Sequence, residues 1–434
     1  MSSVDQDRAS AGGTFLFVNA AQIVTCAGAG RARRGSEMLD AGVRTGAAVA
    51  TTGATIAAVD DVAALRARFP RAREIDCRNG VLTPGLVDSH THGVFGRPRQ
   101  DEQEMRAAGL DYMEIARRGG GIHASVRDLR ATDEEHLFAL TLVRLQRLAS
   151  FGTTTVEVKS GYGLTLDDEL KALRVIARVA RELPLRVVPT FLGAHEIPLE
   201  HRESAATRRA YVDLVVNEMI PAVAAGGLAR FADVFCETGV YTVEESRTIL
   251  GAARRAGLGL KLHADELTSS GGAELAAAIG ATSADHLAAV SDAGIAALAA
   301  GSTVATLLPG TMLFLGKPKQ APARRFIDAG VPVALATDFN PGTSPTQNLP
   351  LILTLGVSQL KLSVGEAVVA ATVNGAAALG LADGVGQIAP GFSADLALFD
   401  IRDVRELPYW YGDNRCVATF VRGKPCYTSN LGIS

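Results

Sequence analysis

Eight short apolar runs, separated by longer segments with helical spacing, constrain the fold of this 434-residue chain more than any other feature. The runs are rich in Val, Leu and Ala without strict alternation, which is typical of strands buried on both faces. Strands that alternate with helices indicate βαβ units, and eight such repeats predict an α/β fold, a (β/α)₈ TIM-like barrel. The runs are GVLTPGLVDSH (80–90), TTTVEVKSG (153–161), LRVVPTFLGAH (185–195), ADVFCETG (232–239), GLKLHADE (259–266), ATSADHL (281–287), STVATLLPG (302–310) and VPVALATDFNPG (331–342).

The two ends of the chain follow a different pattern. Short strand-like runs, such as TFLFVNAAQIVT and GQIAPGFSADLALFDI, occupy residues 14–80 and return in 387–427. We interpret these flanks as one small β-sandwich domain built from both ends of the chain. The predicted organisation is therefore 1–80 and 386–434 for the small β domain, with the barrel over 81–385.

Composition argues against two classes of partner. The formal net charge of -3 shows no excess of basic residues of the kind that indicates nucleic-acid binding. The five cysteines form no CxxC pair, which is typical of reduced thiols in a cytoplasmic protein. The uncharged stretch 293–316 is long enough to cross a bilayer, but two glycine-containing pairs divide it. We interpret it as a buried helix followed by a buried strand.

Polar side chains end most of the runs, and catalytic groups of such barrels lie at these carboxyl ends. His90 and His92 stand two residues apart, so both can face one point from a single strand end. Two polar loop histidines would explain this pair equally well. His263 and Asp338, at the ends of the fifth and eighth runs, add a third imidazole and a carboxylate. Together the four residues favour a hydrolytic divalent-metal site.

A hydrolytic site also needs groups that move protons. Glu266, His286 and Asp338 all lie at run ends and are candidates for this role. Taken alone, Glu266 also fits an exposed carboxylate at a helix start, and His286 a hydrogen-bonded core histidine. The residues leave open which of the three is the general base.

The loop after the first run carries a candidate anchor for an anionic substrate. The Arg99 guanidinium offers a planar fork that matches a carboxylate, although a solvated charge in RPRQDEQE is an alternative explanation. Tyr162, in the glycine-flanked segment KSGYG, can hydrogen-bond to a ligand or simply pack.

These motifs, in this order, resemble the amidohydrolase superfamily, and residues 14–425 resemble its imidazolonepropionase family. The resemblance rests on segments such as HTHGVFGRPR, TTTVEVKSGYGL, FLGAHEIP, KLHADEL, SADHL and ATDFNPGTSPT. It implies hydrolysis of 4-imidazolone-5-propanoate to N-formimidoyl-L-glutamate in histidine degradation. It also implies a homodimer.

The resemblance assigns roles residue by residue. It implies one divalent metal ion, zinc or iron, with Arg99 on the substrate propanoate and Glu266 and His286 beside the scissile amide. The implied metal ligands are His90, His92, His263 and Asp338. The other implied substrate or product contacts are Tyr162, His195, Asn340, Gly342 and Thr343.

Two local details qualify these implications. Some amidohydrolases bridge two metals with a carboxylated lysine on the fourth strand, but ADVFCETG has no lysine, which favours one metal. Where the family often has two glycines, this chain has Gly96-Arg97-Pro98, so Arg97 competes with Arg99 as the carboxylate anchor. The spacing from His92 favours Arg99.

Two other functions stay open from the sequence. A deaminase of a heterocyclic base would share the metal site, release ammonia and need no carboxylate anchor. A catalytically inactive barrel could act as a binding or scaffold protein, although all the candidate ligands and acid–base residues are present.

Overall fold

A computed structural model describes residues 13–110 and 112–429 of the chain. Its strands are β1 Thr14–Val18, β2 Gln22–Val24, β3 Val43–Arg44, β4 Ala47–Thr52, β5 Thr55–Asp61, β6 Arg73–Asp76, β7 Val81–Pro84, β8 Leu86–Asp88, β9 Thr153–Lys159, β10 Arg186–Ala194, β11 Phe231–Cys236, β12 Gly259–Ala264, β13 Ser283–His286, β14 Val304–Leu307, β15 Val333–Leu335, β16 Leu396–Phe399, β17 Cys416–Val421 and β18 Lys424–Thr428. The α-helices are Val62–Arg68, Gln100–Ala107, Tyr112–Arg117, Ile122–Ala131, Glu134–Ala149, Leu166–Glu182, Ala205–Leu214, Ile220–Ala225, Val243–Arg255, Gly272–Ala278, Asp292–Ala300, Pro309–Phe314, Ala323–Asp328, Leu349–Ser358, Val364–Ala370 and Val373–Ala377.

Strands β8 to β15 form one eight-stranded sheet in which neighbours in sequence are neighbours in space. Every adjacent pair is parallel. The sheet closes where the chain following β8 meets the chain following β15. There the N–H of Asp338 donates to the His90 carbonyl (3.0 Å), and the N–H of His92 donates to the Phe339 carbonyl (2.8 Å). The predicted barrel is confirmed, and its closure brings two candidate histidines beside the candidate aspartate.

The first apolar run differs from the expectation of one barrel strand, because it contains two strands. β7 pairs with β2 and β16, outside the barrel, whereas β8 pairs with β9 inside it. Gly85 separates them, and a Cβ at this position would lie 2.0 Å from the Thr154 hydroxyl oxygen. Only glycine therefore lets the chain pass from one sheet to the other so close to β9.

The remaining strands form a β-sandwich, as predicted. A four-stranded sheet has the order β5-β4-β1-β6, and a six-stranded sheet has the order β18-β17-β16-β7-β2-β3. Side chains from both sheets share one apolar core, in which the Phe17 and Phe420 rings meet edge to face at 5.0 Å. Both ends of the chain supply strands to this core, and the exact domain boundaries stay a prediction.

The outer helices cover the barrel in the way their spacing predicts. Helix Leu166–Glu182 begins after Thr165, whose hydroxyl accepts the N–H of Asp168, and it buries an apolar stripe against the barrel. The uncharged stretch 293–316 is a helix, strand β14 and a second short helix. Among residues 13–110 and 112–429, no helix combines the length and apolar character needed to cross a bilayer.

Candidate metal centre

Four buried side chains converge at the carboxyl end of the barrel. The His92 Nε2 atom lies 3.2 Å from His90 Nε2 and 3.3 Å from His263 Nε2. The Asp338 Oδ1 atom lies 3.5 Å from the Nε2 atoms of both His90 and His92. Each of the four is at most 3% exposed. Residues from three distant segments therefore present four potential ligand atoms to one small volume.

Neighbouring carboxylates orient two of these imidazoles. The Asp285 Oδ2 atom lies 2.6 Å from His90 Nδ1, and the Asp233 Oδ2 atom lies 3.0 Å from His263 Nδ1. An Nδ1–H that donates to a carboxylate leaves the Nε2 lone pair free to bind a metal. The hydrogen bond to Asp285 thus directs the His90 Nε2 lone pair toward this point, and the Asp233 carboxylate faces His263 Nδ1 in an ion-pair contact.

Asp338 is held in a similar way. The Thr311 hydroxyl donates to its Oδ2 atom at 2.5 Å, which leaves Oδ1 facing the histidines. Burial raises the pKa of Asp338 to about 6, and the Thr311 hydrogen bond opposes that rise. One carboxylate oxygen is therefore available as a ligand, while the other is fixed by the protein.

The spacing of these atoms fits a divalent cation. Ligand atoms about 2.0–2.1 Å from a tetrahedral metal lie about 3.3 Å from one another, close to the separations observed here. Burial, reinforced by neighbouring cationic groups, holds the pKa values of His90 and His92 well below the ordinary histidine value. Both are therefore neutral, as metal ligation requires. Without a cation, facing lone pairs would repel, so the residues fit a metal site.

Glu266 and His286 lie beside these ligands, as expected. The Glu266 Oε2 atom is 3.5 Å from His286 Nδ1. Burial, and then the charges of Asp338 and Glu237, raise the pKa of Glu266 to about 8. Burial and the nearby His263 hold the pKa of His286 well below its ordinary value, so its imidazole is neutral. A bound cation would lower the pKa of Glu266, since positive charge favours the carboxylate.

Several residues at the strand ends adopt an unusual backbone conformation. Asp265, His286 and Asp338 have φ values of 48°, 76° and 52°, in the left-handed region that favours glycine. Strained residues of this kind cluster at functional sites, where surrounding contacts hold them. The conformation turns the chain sharply at the ends of three barrel strands; His286 and Asp338 then line the cavity, whereas the Asp265 carboxylate accepts backbone N–H groups of residues 270–273.

A cavity of about 490 Å³ opens above the four ligands. The His195 ring stacks on the His92 ring with centroids 4.9 Å apart, and its Nδ1 lies 3.0 Å from the Gly161 carbonyl. The Tyr162 ring is tilted against His195 at 5.3 Å. Thr343 lines the same cavity. These predicted contact residues are therefore brought together, in a volume suited to a small molecule.

Arg99 also lines this cavity, whereas Arg97 does not. The Arg99 side chain is 10% exposed, and its Nε lies 3.1 Å from Glu102. The Arg97 side chain is 87% exposed and pairs with Asp128. Arg99 passes so close to Gly342 that a Cβ on this glycine would lie 1.6 Å from a guanidinium nitrogen. The tertiary structure thus places only one of the two candidate carboxylate anchors, Arg99, in the cavity.

Asn340 organises the loop in which it lies. Its Oδ1 atom accepts the N–H groups of Gly342 (2.8 Å) and Thr343 (2.7 Å). Its Nδ2 group donates to the Asp338 carbonyl at 2.7 Å and to the Thr343 hydroxyl at 2.9 Å. The side chain borders the cavity, and its hydrogen bonds hold Asp338 and Thr343 in place.

Several residues that support this centre were not predicted from the sequence. They include Glu102 beside Arg99, Thr311 beside Asp338, and the buried Glu157 and Asp233 inside the barrel. A signal was present, because TTTVEVKSG and ADVFCETG place charges within apolar strands. Charges on a strand buried on both faces must have partners inside the protein.

Comparisons with known proteins identify the family of the chain. The model of the amidohydrolase family matches residues 103–427. Imidazolonepropionase of Symbiobacterium thermophilum is 49% identical over 414 residues, covering 94% of this chain and 96% of the relative. The enzyme of the same name from Geobacillus kaustophilus is 46% identical over 415 residues, with 94% and 97% covered.

Solved structures show the same fold at lower identity. E. coli guanine deaminase matches with a TM-score of 0.70 and 16% identity, covering 96% of this chain and 98% of that chain. An adenosine deaminase from Xanthomonas campestris with bound zinc matches with a TM-score of 0.67 and 20% identity, covering 95% and 92%. The structural matches define the architecture and the sequence matches define the group: the chain belongs to the amidohydrolase family and, within it, to the imidazolonepropionases.

Proposed function

We infer that this protein hydrolyses 4-imidazolone-5-propanoate to N-formimidoyl-L-glutamate, a ring-opening step of histidine degradation. The observation that carries this inference is the presence of four convergent ligand atoms and a buried arginine in one cavity. The first feature suits hydrolysis of an amide bond, and the second suits a substrate with a carboxylate. We also propose a cytoplasmic location and a homodimer.

We propose that His90, His92, His263 and Asp338 hold one divalent metal ion, zinc or iron. Such an ion lowers the pKa of water toward 7 and polarises a carbonyl oxygen. The protein contributes three imidazoles, two of which lie against the Asp285 and Asp233 carboxylates. The absence of a lysine from the fourth strand supports a single ion.

Substrate orientation would depend on Arg99. Its guanidinium would bind the propanoate carboxylate, while Tyr162, His195 and Thr343 contact the remainder of the substrate. The backbone of Gly342 supports the guanidinium, and Asn340 fixes the loop that carries Gly342. The anionic end of the substrate and its scissile amide would therefore be positioned by different parts of one cavity.

Proton transfer would involve Glu266, His286 and Asp338. We propose that Glu266 or Asp338 accepts the proton of the attacking water and passes it to the leaving ring nitrogen. The neutral His286 imidazole would stabilise negative charge that develops on the carbonyl oxygen. The 3.5 Å separation between Glu266 and His286 supports a shared role at the scissile bond.

The function is tested directly with freshly prepared urocanase product. Metal-replete protein should remove the imidazolone absorbance and produce formiminoglutamate in equal amounts. Failure to hydrolyse this compound with one equivalent of metal bound would contradict the proposal. Release of ammonia from a neutral heterocyclic base, without imidazolone turnover, would instead indicate a deaminase.

Removal of the anchoring guanidinium should weaken substrate binding. We expect Arg99→Ala to raise KM by about 10- to 100-fold, because hydrogen bonds between charged groups contribute about 1.5–3 kcal/mol. Steady-state kinetics with the imidazolone would measure this change. Arg97→Ala is the matched control, since its side chain is 87% exposed and should leave KM unchanged. Equal KM values for both variants would remove Arg99 from substrate binding.

The close contact between Gly342 and Arg99 gives a second prediction. Gly342→Ala should raise KM by about 10-fold or more, because its methyl group would displace the guanidinium and weaken a charge-assisted contact. Metal content, measured by mass spectrometry, should stay at the wild-type level. Gly384→Ala is a suitable control, since nothing lies within 4 Å of a Cβ at that position. Wild-type KM for Gly342→Ala would show that Arg99 is not held by this contact.

A further inference from the structure

The barrel interior holds a cluster of charges in which only Asp233 and Asp285 have a part in the proposed chemistry, as partners of His263 and His90. We call this group the ion cluster; each member is at most 1% exposed. Its members are Glu157 and Lys159 on β9, Asp233 on β11, Lys261 on β12 and Asp285 on β13. Burial of so many charges costs free energy unless opposite charges are paired at short distance. We therefore looked for a role of these pairs at the neighbouring metal centre.

Lys159 lies at the centre of the ion cluster. Its Nζ atom is 2.6 Å from Glu157 Oε1, 2.8 Å from Asp233 Oδ2 and 3.9 Å from Asp285 Oδ2. Burial lowers the pKa of Lys159, but the charges of Asp233, Glu157 and Asp285 outweigh burial and raise it above the ordinary value. Lys159 is therefore a permanent cation among the three carboxylates.

Two of these carboxylates also contact the predicted metal ligands. The same Asp233 Oδ2 atom that meets Lys159 lies 3.0 Å from His263 Nδ1. The same Asp285 Oδ2 atom that faces Lys159 lies 2.6 Å from His90 Nδ1. A path of short contacts thus leads from the Lys159 ammonium through Asp233 to His263, whereas Asp285 lies 3.9 Å from Lys159 and 3.8 Å from Lys261.

Lys261 is equally buried but is placed differently. Its Nζ atom donates to the backbone carbonyl of Ser89 at 3.1 Å and to that of Ala378 at 3.4 Å. It lies 3.8 Å from both Glu157 and Asp285, and no ion pair with Asp233 is seen among the described residues. The chain therefore offers an internal control: two buried lysines, only one of which touches the carboxylate partner of His263.

We propose that Lys159 is a positioning residue of the metal centre. Its ammonium holds the Asp233 carboxylate in place 3.0 Å from His263 Nδ1, and so keeps the His263 proton on Nδ1 and its Nε2 lone pair directed at the cation. This inference rests on the proposed metal site and extends it, because it assigns cation affinity to a residue that is not a ligand. Partners of this kind typically change metal affinity by about 10- to 100-fold.

The first test compares zinc affinity, measured by competition with a chromogenic chelator, for Lys159→Met and Lys261→Met. Methionine keeps the length of the side chain and removes its charge. Lys159→Met should bind zinc about 10- to 100-fold more weakly than wild type, whereas Lys261→Met should stay within about threefold. Thermal unfolding of the metal-free proteins would report the structural cost of each change separately. Equal affinities for the two variants would overturn the proposal.

A double-mutant cycle tests the path through Asp233. In an Asp233→Asn background, Lys159→Met should have little further effect on zinc affinity, since the acceptor that it acts through has already changed. The double variant also avoids leaving Asp233 buried and unpaired, so it is better suited to fold than Lys159→Met alone. An undiminished effect of Lys159→Met in this background would show that the lysine does not act through Asp233.

Histidine-labelled wild-type protein provides a test without any substitution. In the metal-free protein, nitrogen NMR should show the proton of His263 on Nδ1, the atom that faces Asp233. A proton on Nε2 alone would overturn the proposal. Failure of the wild-type protein to bind one equivalent of zinc would contradict the metal site itself. Normal zinc binding with no effect of Lys159→Met would contradict only the role of the lysine.

Discussion

His263→Ala is expected to weaken metal binding strongly and to abolish ring opening. The substitution removes the imidazole whose Nε2 lies 3.3 Å from that of His92, and so takes away one of the four predicted ligands and leaves a gap in the site. Turnover should fall by at least about 10⁴-fold, since activated water and charge stabilisation are lost together and each contributes about 10² or more. Metal content by mass spectrometry and turnover of the imidazolone would measure the two effects.

The matched control is His136→Ala. His136 is an exposed residue of helix Glu134–Ala149 and has no predicted role in the site. Metal content and turnover should therefore stay at wild-type levels. Chelator treatment of the wild-type protein should reproduce the loss seen in His263→Ala, and added zinc or iron should reverse it. Full activity in a metal-free His263→Ala protein would refute the metal-dependent mechanism.

Glu266→Gln should separate catalysis from metal binding. We expect turnover to fall by at least about 10²-fold, because glutamine cannot accept or donate a carboxyl proton. Metal content should stay at one equivalent, since Glu266 lies beside His286 rather than among the four predicted ligands. Metal analysis and turnover in the same preparation distinguish this result from that of His263→Ala.

Two outcomes would change the assignment of Glu266. Wild-type turnover would remove it from the mechanism and leave Asp338 as the remaining carboxylate at the scissile bond. Loss of metal together with activity would place Glu266 among the groups that bind the cation. Glu244→Gln, at an exposed position in helix Val243–Arg255, controls for the loss of a negative charge.

The barrel and the types of residue at its rim could be predicted because the signals are local. Eight apolar runs define the strands, and each predicted run contains a strand of the eight-stranded sheet. The two-residue spacing of His90 and His92 fixes their common direction on the chain. His263 and Asp338 could be proposed as partners because parallel strands of a barrel bring their carboxyl ends to one face.

The hydrophobic pattern was less informative for the first apolar run, which contributes strands to two sheets. Residues 81–87 carry no charge and only Thr83 is polar, so β7 and β8 look like one strand. The break depends on Gly85, whose missing side chain lets the backbone pass Thr154 on β9. Thr154 lies far along the chain, and its proximity is visible only in the folded protein.

By itself the sequence determined that the chain forms a closed parallel barrel with imidazoles and carboxylates at strand ends, since these properties follow from local periodicity and residue type. Only the tertiary structure showed that Arg99 lies in the cavity and Arg97 does not. The Arg99 guanidinium packs against Gly342 and lies beside Glu102, whereas the exposed Arg97 pairs with Asp128. The tertiary structure also showed that Lys159 faces Asp233 across the barrel interior. These contacts join residues that are distant in the sequence and meet only when the barrel closes, so a local sequence pattern cannot predict them.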